Sequence, residues 1–104
     1  MSINRLLLIG LLLLSFSCKK DKNAPLPVAN FFVEIDSCIN EKCYVHLFDN
    51  SENSVKWNWN FDNGLSSESK NATSIFNKFK AYNIVLQVEN IDGVKVEKIK
   101  NITF

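Results

Sequence analysis

A short segment near the middle of the chain alternates large apolar residues with polar ones up to a turn. The apolar positions are Val55, Trp57, Trp59 and Phe61. Successive side chains of a β-strand point to opposite faces, so this alternation predicts a strand with one buried and one solvated face. The buried phase assigns Trp57, Trp59 and Phe61 to a core rather than to a sugar-stacking platform. Residues 62–64 (Asp-Asn-Gly) end the strand, because Asn and Gly tolerate positive φ and Asp bonds its own backbone.

The first 17 residues have the layout of a secretory signal peptide: a positive charge, an apolar run and then small residues. Arg5 precedes the apolar run 6–14, and Ser15 and Ser17 follow it. The run is too short to span a bilayer, which needs roughly 20 apolar residues. A buried core helix is the alternative, but the lysine-rich stretch that follows has no amphipathic pattern. We therefore expect residues 1–17 to be removed during export.

The end of this segment, Leu14-Ser15-Phe16-Ser17-Cys18, resembles the lipobox of bacterial lipoproteins, in which the signal is cut before a lipid-modified cysteine. A leucine usually stands three residues before that cysteine, where this chain has Ser15. The resemblance implies an acylated Cys18 and a lipid-anchored linker over residues 18–27. With Lys19 next to the cysteine, it also implies sorting to the outer membrane of the cell envelope. An ordinary signal peptide with an unmodified Cys18 is the alternative.

The charge balance argues against nucleic acid as a partner. The chain has 12 Lys and Arg residues against 11 Asp and Glu residues. Loss of Arg5 with the signal leaves 11 against 11, so the mature net charge is zero. Phosphate contacts need clustered Lys or Arg, which are not evident here. The expected partners are a membrane, through the lipid anchor, and a protein or polysaccharide ligand.

Residues 28–104 form short alternating segments separated by turns, after a spacer in which Pro25 and Pro27 favour an extended chain. The predicted inward residues are Ala29, Phe31, Val33 and Ile35 in the first strand, Val45 and Leu47 in the second, and Tyr82, Ile84, Leu86 and Val88 in a later one. Residues 73–79 predict a further strand, and residues 65–70 a short edge or loop. Seven such strands predict an all-β fold, an immunoglobulin-like sandwich of two antiparallel sheets.

The final strand carries one irregularity. It follows Asp92-Gly93, a two-residue hairpin signal. Its inward residues share one phase (Val94, Val96, Ile102 and Phe104), whereas Ile99 has the opposite phase. Either a bulge near Glu97 or an exposed Ile99 would account for this.

Several separated motifs of the domain carry a family resemblance. They are Val28-Ala29-Asn30-Phe31, Asp49-Asn50-Ser51, Trp57 through Gly64, Asn71-Ala72-Thr73 and Ala81 through Val88. In order and spacing they resemble the PKD domain (the polycystic kidney disease repeat), over almost all of residues 28–104. The resemblance implies an immunoglobulin-like sandwich on an extracellular protein. It also implies a spacer or a binding module for proteins and polysaccharides, without catalysis.

The turn after Trp59 departs from the PKD pattern Trp-Asp-Phe-Gly-Asp-Gly. The two acidic positions are Asn60 and Asn63 here, and the first glycine is Asp62. Some relatives bind calcium near their loops, and this loop has lost carboxylates that a hard cation prefers. No metal or other cofactor is therefore expected.

Two further departures lie beside the predicted strand that begins near Tyr82. Phe76 stands where the family has a tyrosine, so any hydrogen bond made by that hydroxyl is lost. Lys80 stands where a glycine usually precedes the strand tyrosine. If that position needs positive φ, Lys80 is strained by about 1 kcal/mol.

Cys38 and Cys43 flank the tip of the first predicted hairpin and are candidates for a disulfide, since an exported chain enters an oxidising compartment. Cys43 has the inward phase of its strand, whereas Cys38 has the outward phase. A bridge therefore requires the alternation to slip in the turn. A zinc site is not expected, because with Cys18 acylated only His46 remains as a nitrogen ligand and zinc takes four.

Four ring-bearing residues have the outward phase of the first two predicted strands: Phe32, Tyr44, His46 and Phe48. Pairing of these strands would gather the rings on one sheet face as a candidate binding patch. Aromatic surfaces of this kind stack on sugar rings or seat a partner protein. The alternative is that a linker residue such as Leu26, or a neighbouring loop, covers them.

These observations support two hypotheses about function. One is a recognition or adhesion module for protein or polysaccharide, displayed by a lipid-anchored envelope protein. The other is a structural spacer or assembly subunit without a ligand. An enzyme is not expected, because the sequence has no evident pair of catalytic carboxylates, nucleophile–base set or phosphate-binding loop.

Overall fold

The computed structural model describes residues 23–104, so the predicted signal peptide and Cys18 lie outside the described residues. Within this range the strands are β1 (Phe31–Ile39), β2 (Lys42–Asp49), β3 (Lys56–Asn60), β4 (Ser66–Ser67), β5 (Ala72–Asn77), β6 (Ala81–Glu89) and β7 (Lys95–Thr103). They form a three-stranded sheet in the order β1-β2-β5 and a four-stranded sheet in the order β4-β3-β6-β7. Every pairing is antiparallel. The predicted all-β sandwich is confirmed.

The core lies between the sheets, mainly on the inward phases of β2, β3 and β6, with further residues from β1, β5 and the turn after β3. Its fully buried apolar residues are Phe31, Cys43, Val45, Leu47, Trp59, Phe61, Phe76, Tyr82, Ile84, Leu86 and Val88. Trp57 shares the inward phase but is only partly buried, at the margin of this cluster. Val55 is about half exposed because it precedes β3, where its N–H donates to the Glu89 carbonyl.

Trp59 is the largest side chain in this core. Its ring packs edge-on against Phe31, with centroids 5.1 Å apart, and stacks on Phe61 at 6.0 Å. Its Nε1 donates to the Ser69 carbonyl at 2.9 Å, so the buried indole N–H has a partner. The chain after β4 is thereby held against the sandwich.

A second aromatic cluster closes the end of the core where β6 begins. Phe76 packs edge-on against Tyr82, with centroids 4.8 Å apart, and stacks on Phe104 at 4.5 Å. The Tyr82 hydroxyl accepts the Asn77 N–H at 2.9 Å. The ring at position 76 therefore contributes packing alone, and the hydroxyl at this end of the core is that of Tyr82.

The edge strands depart most from the predicted phases. Ile35 has the inward phase of β1 but is exposed, because β1 is the outer strand of its sheet. β7 pairs with β6 without a register shift, and Ile99 is exposed, which excludes a bulge near Glu97. The inward phase of β7 includes Lys100, whose ammonium donates to the Phe31 carbonyl and lies 4.9 Å from the centre of the Phe31 ring.

The turn after β3 requires left-handed backbone at the position where the PKD pattern has glycine. Asp62 occupies it with a φ of 62°. Asn60 Oδ1 accepts the Asp62 N–H at 3.0 Å, and Asp62 Oδ2 accepts the Asn83 N–H at 3.0 Å. A local polar side chain is the usual way for a non-glycine residue to adopt this conformation.

The prediction that Lys80 has a strained, positive φ is wrong. The positive φ lies one residue earlier, at Phe79, with a φ of 65°. In the turn between β5 and β6, the left-handed residue therefore lies one position before the one at which the family has glycine.

Asn63 covers the outer edge of β5. Its Nδ2 donates to the Ile75 carbonyl and to Ser74 Oγ, both at 2.9 Å, and its Oδ1 accepts the Leu65 N–H at 3.0 Å. A carboxylate at this position could not keep the bond to the Ile75 carbonyl, because neither group is a donor. The amide therefore satisfies a carbonyl on an open strand edge.

We predict that Asn63→Asp lowers the free energy of unfolding by about 1–3 kcal/mol, since the bond to the Ile75 carbonyl is lost and a negative charge faces that carbonyl. Asn60→Asp is the matched control, because Asn60 acts here only as an acceptor, and it should change stability by less than about 0.5 kcal/mol. Urea denaturation followed by tryptophan fluorescence measures both. Equal losses in the two variants would contradict the assigned role of the Asn63 amide.

Candidate functional site

The β1–β2 hairpin contains a bulge that resets the side-chain phase. Its tight turn is formed by Asn40 and Glu41, with φ values of 51° and 66°, as a two-residue hairpin requires. Ile35 pairs with Val45, but the next pair is Ser37 with Tyr44, which leaves Asp36 as an extra residue. The slip in alternation therefore lies within β1 and not in the turn, where it was expected.

This bulge brings Cys38 directly opposite Cys43, and a disulfide joins the two residues. Cys43 is fully buried beneath the sheet, whereas Cys38 lies at the exposed edge. The disulfide thus fixes the bulged register between β1 and β2. A slip by one residue would turn the far end of β1 to the other face.

The predicted binding residues lie on the outer face of the three-stranded sheet, and three of them form a stack. Phe32 pairs with Phe48 across β1 and β2, and their rings stack with centroids 5.0 Å apart. The His46 ring continues the stack, 6.1 Å from Phe48. Tyr44 lies further along β2 on the same face and pairs with Ile75 of β5. We call these four predicted residues the outer aromatic surface.

The described part of the linker, residues 23–27, does not cover this surface. The Ala24 N–H donates to Asp92 Oδ2 at 2.9 Å, and Asn90 Nδ2 donates to the Pro25 carbonyl at 3.1 Å. Leu26 is held by Asn53 Nδ2 through its own carbonyl, while 70% of the residue is exposed. Residues 24–28 thus contact the loops beside the β6–β7 turn and after β2. They start the folded unit slightly before the expected boundary at residue 28.

The surface is open to solvent within the described part of the chain. Phe32 is 47% exposed and Tyr44 is 41% exposed. Asp36, the bulge residue, lies beside the surface with its Oδ1 4.0 Å from His46 Nε2. Both side chains are well exposed, so this contact adds little stability and leaves the imidazole accessible.

A groove of about 460 Å³ runs beside the stack, between β5 and the chain after β3. His46 and Phe48 line one side of it. The remaining lining side chains are mostly small and uncharged: Ser66, Ser67, Ser69, Asn71, Ala72, Thr73 and Ser74, with Phe61 and Leu65. Hydroxyl and amide groups therefore lie next to aromatic rings. Sequence reasoning placed residues 65–70 at an edge or loop but not beside the rings, because no local pattern indicates that juxtaposition.

The remaining predicted residues lie elsewhere. Trp59, Phe61, Tyr82 and Leu86 are in the core, and Trp57 is at its margin, where its buried Nε1 has no hydrogen-bond partner. In residues 23–104 no three His, Cys, Asp or Glu side chains are grouped to hold a metal ion. The same range has no helix that could cross a membrane.

Two solved structures with the same fold are PKD domains. The PKD1 domain of Vibrio anguillarum Epp matches with a TM-score of 0.64 and 24% identity, covering 77% of this chain and 94% of that domain. The PKD1 domain of the Vibrio cholerae metalloprotease PrtV matches with a TM-score of 0.62 and 23% identity, covering 75% and 95%. No family model and no curated protein sequence matches the chain. The expected PKD fold is therefore confirmed by structure.

We predict that replacing both Cys38 and Cys43 by alanine lowers the free energy of unfolding by about 2 kcal/mol, the value for a loop this short. Reduction of the unmodified chain by a dithiol should give the same loss. The reductant should leave the double variant unchanged, which is the control. A double variant as stable as the oxidised chain would contradict a stabilising role for the bridge.

Proposed function

We propose that this chain, with its PKD fold, is a non-catalytic recognition module of the bacterial cell envelope that binds protein or polysaccharide through the outer aromatic surface. The proposal includes export, acylation of Cys18 and attachment to the outer membrane. The observation that carries the recognition role is the stack of Phe32, Phe48 and His46 on one sheet face, in which Phe32 is exposed and the other two rings are partly exposed. The leader and Cys18 motif carry the proposed location.

The stack has the physical properties of a contact site. Exposed aromatic rings that already lie against each other present a rigid apolar surface at low conformational cost, and burial against a ligand removes that surface from water. The neighbouring groove adds hydroxyl and amide groups from Ser67, Asn71 and Thr73. Rings beside uncharged hydrogen-bonding groups suit a sugar, which has apolar faces and hydroxyl edges, and also suit a polar peptide segment.

A spacer is the second candidate, and one observation favours it. Ala24 contacts Asp92 at one end of the sandwich, whereas the Phe104 carbonyl accepts the Phe79 N–H at the other end. The described chain therefore enters and leaves the sandwich at opposite ends. That geometry separates whatever is attached to either end, with no need for a ligand.

We predict that Phe32→Ala combined with Phe48→Ala lowers binding to a glycan array or to an envelope protein extract at least tenfold, because the stacked apolar surface is lost. Ile99→Ala is the matched control, since Ile99 is also an exposed apolar strand residue but lies on the other sheet. Undiminished binding by the double variant, or equal loss in the control, would favour the spacer.

The location is tested separately. Mass spectrometry of the mature protein should find acyl chains on Cys18, and globomycin should block its processing. Cys18→Ser should release the protein from the membrane fraction, while Cys38→Ala with Cys43→Ala should leave it attached. An unmodified Cys18 in the mature protein would refute the anchor but not the recognition role.

A further inference from the structure

The turn between β5 and β6 exposes a phenylalanine in a strained conformation. Phe79 has a φ of 65°, in the left-handed region that bulky residues rarely adopt. It is also the most exposed large apolar residue in residues 23–104, at 77%. The side chain therefore contributes little packing energy. A glycine at this position would adopt the same backbone conformation without strain. Strain retained without burial indicates a function for the ring.

Two backbone contacts hold this turn in place. The Lys78 N–H donates to the Glu41 carbonyl at 2.8 Å, and the Phe79 N–H donates to the Phe104 carbonyl at 2.7 Å. One bond ties the turn to the β1–β2 turn and the other to the end of β7. The ring of Phe79 thus projects from a turn that is fixed on two sides.

A lysine stands on each side of Phe79 in the sequence, and one of the two ammonium groups lies against its ring. Lys78 Nζ lies 5.3 Å from the centre of the Phe79 ring, and Lys80 Nζ lies 5.4 Å from that of Tyr82. On the neighbouring turn, Ile39 adds a second exposed apolar residue, and Lys42 follows it across the turn. We call Phe79, Ile39 and these three lysines the apical tip.

Two carboxylates belong to the same end of the sandwich. Glu41 contributes its backbone carbonyl to Lys78 and leaves its side chain at the exposed turn. Asp62 has one carboxylate oxygen engaged by the Asn83 N–H. The three lysines outnumber them, and two lysines lie immediately beside the apolar apex. Among the side chains at this end, positive charge therefore predominates.

We propose that the apical tip docks on a lipid bilayer that carries anionic headgroups. Phe79 would enter the boundary between headgroups and acyl chains, and the lysine ammonium groups would remain at the level of the phosphates. The apolar ring thus matches the acyl chains, and the basic residues beside it match the anionic headgroups. The tip is convex and centred on one ring, which distinguishes it from the flat stacked face on the outer sheet.

The position of the tip determines which bilayer it reaches. Ala24 is fixed by Asp92 at the opposite end of the sandwich, one strand length away from Phe79. A strand of nine residues such as β6 spans about 30 Å. If Cys18 is acylated as proposed, the tip points away from the anchoring membrane and contacts a facing one. Only this consequence rests on the proposed anchor.

Vesicle flotation tests the proposal with residues 23–104, which contain every described strand and the whole core. The chain should float with phosphatidylcholine vesicles that contain phosphatidylglycerol and much less with phosphatidylcholine alone. Phe79→Ala should reduce partitioning about tenfold or more, because the inserted ring is lost. Lys78→Gln and Lys80→Gln should each reduce it by about fivefold, and added salt should reduce it further.

Ile91→Ala is the matched control, because Ile91 is 74% exposed on the β6–β7 turn at the opposite end and has Asn90 and Asp92 as neighbours. It should leave partitioning unchanged. Phe79→Gly should raise the denaturation midpoint while abolishing partitioning, a combination that a purely structural role would not give. Absence of flotation, equal loss with Ile91→Ala, or binding to a soluble anionic polysaccharide without vesicle binding would each overturn the proposal.

Discussion

The hydrogen bond from Trp59 to the Ser69 carbonyl connects the core of this protein to its candidate site. The indole ring fills the space between the sheets, where an unpaired N–H would be costly. Its partner lies on the chain after β4, beyond the last residues that pair with β3. This chain segment is also one wall of the groove beside His46 and Phe48. The ring that specifies the sandwich therefore also positions a surface outside it.

The sandwich has open strand edges, and polar side chains satisfy backbone groups on the edges of β5 and β1. On β5, Asn63 satisfies the Ile75 carbonyl and the Tyr82 hydroxyl satisfies the Asn77 N–H. On β7, Lys100 takes an inward position and reaches the Phe31 carbonyl on the edge of β1. Inward-pointing charges and covered backbone groups are established ways to prevent edge-to-edge pairing between molecules. Asn63 replaces the aspartate of the PKD pattern, and its amide supplies the donor that the Ile75 carbonyl on this edge needs.

The alternation of apolar and polar residues predicted burial correctly for strands in the interior of a sheet. In β6 the alternation from Tyr82 to Val88 corresponds to alternating burial, because this strand has neighbours on both sides and a sheet across from it. The same reasoning failed for Ile35 and Val55, which have the inward phase but lie at an edge or a strand end. Periodicity records which side a residue takes, whereas burial also depends on what lies opposite, which only the tertiary fold specifies.

The candidate site was predictable in part for a related reason. Phase alone gathered Phe32, His46 and Phe48 on one face, since hairpin pairing brings adjacent strands together. The groove wall from residues 66–71 depends on a contact with the Trp59 ring, which has no local signature. Similarly, the family pattern indicated that a left-handed residue belongs near the start of β6, but it pointed to Lys80 instead of Phe79.

The bulge at Asp36 explains why the disulfide and the outer aromatic surface occur in the same hairpin. If β1 continued past Ile35 in regular alternation, without a bulge, Cys38 would face outward opposite Lys42, and the covalent link to buried Cys43 would not form. With it, the outward phase of β1 is kept up to Glu34, so Phe32 remains opposite Phe48, while the strand end turns Cys38 inward. Because of this single extra residue, β1 presents Phe32 to solvent at one end and directs Cys38 towards buried Cys43 at the other. Because the disulfide closes this arrangement, the register that carries the rings is held by a covalent bond as well as by backbone pairing.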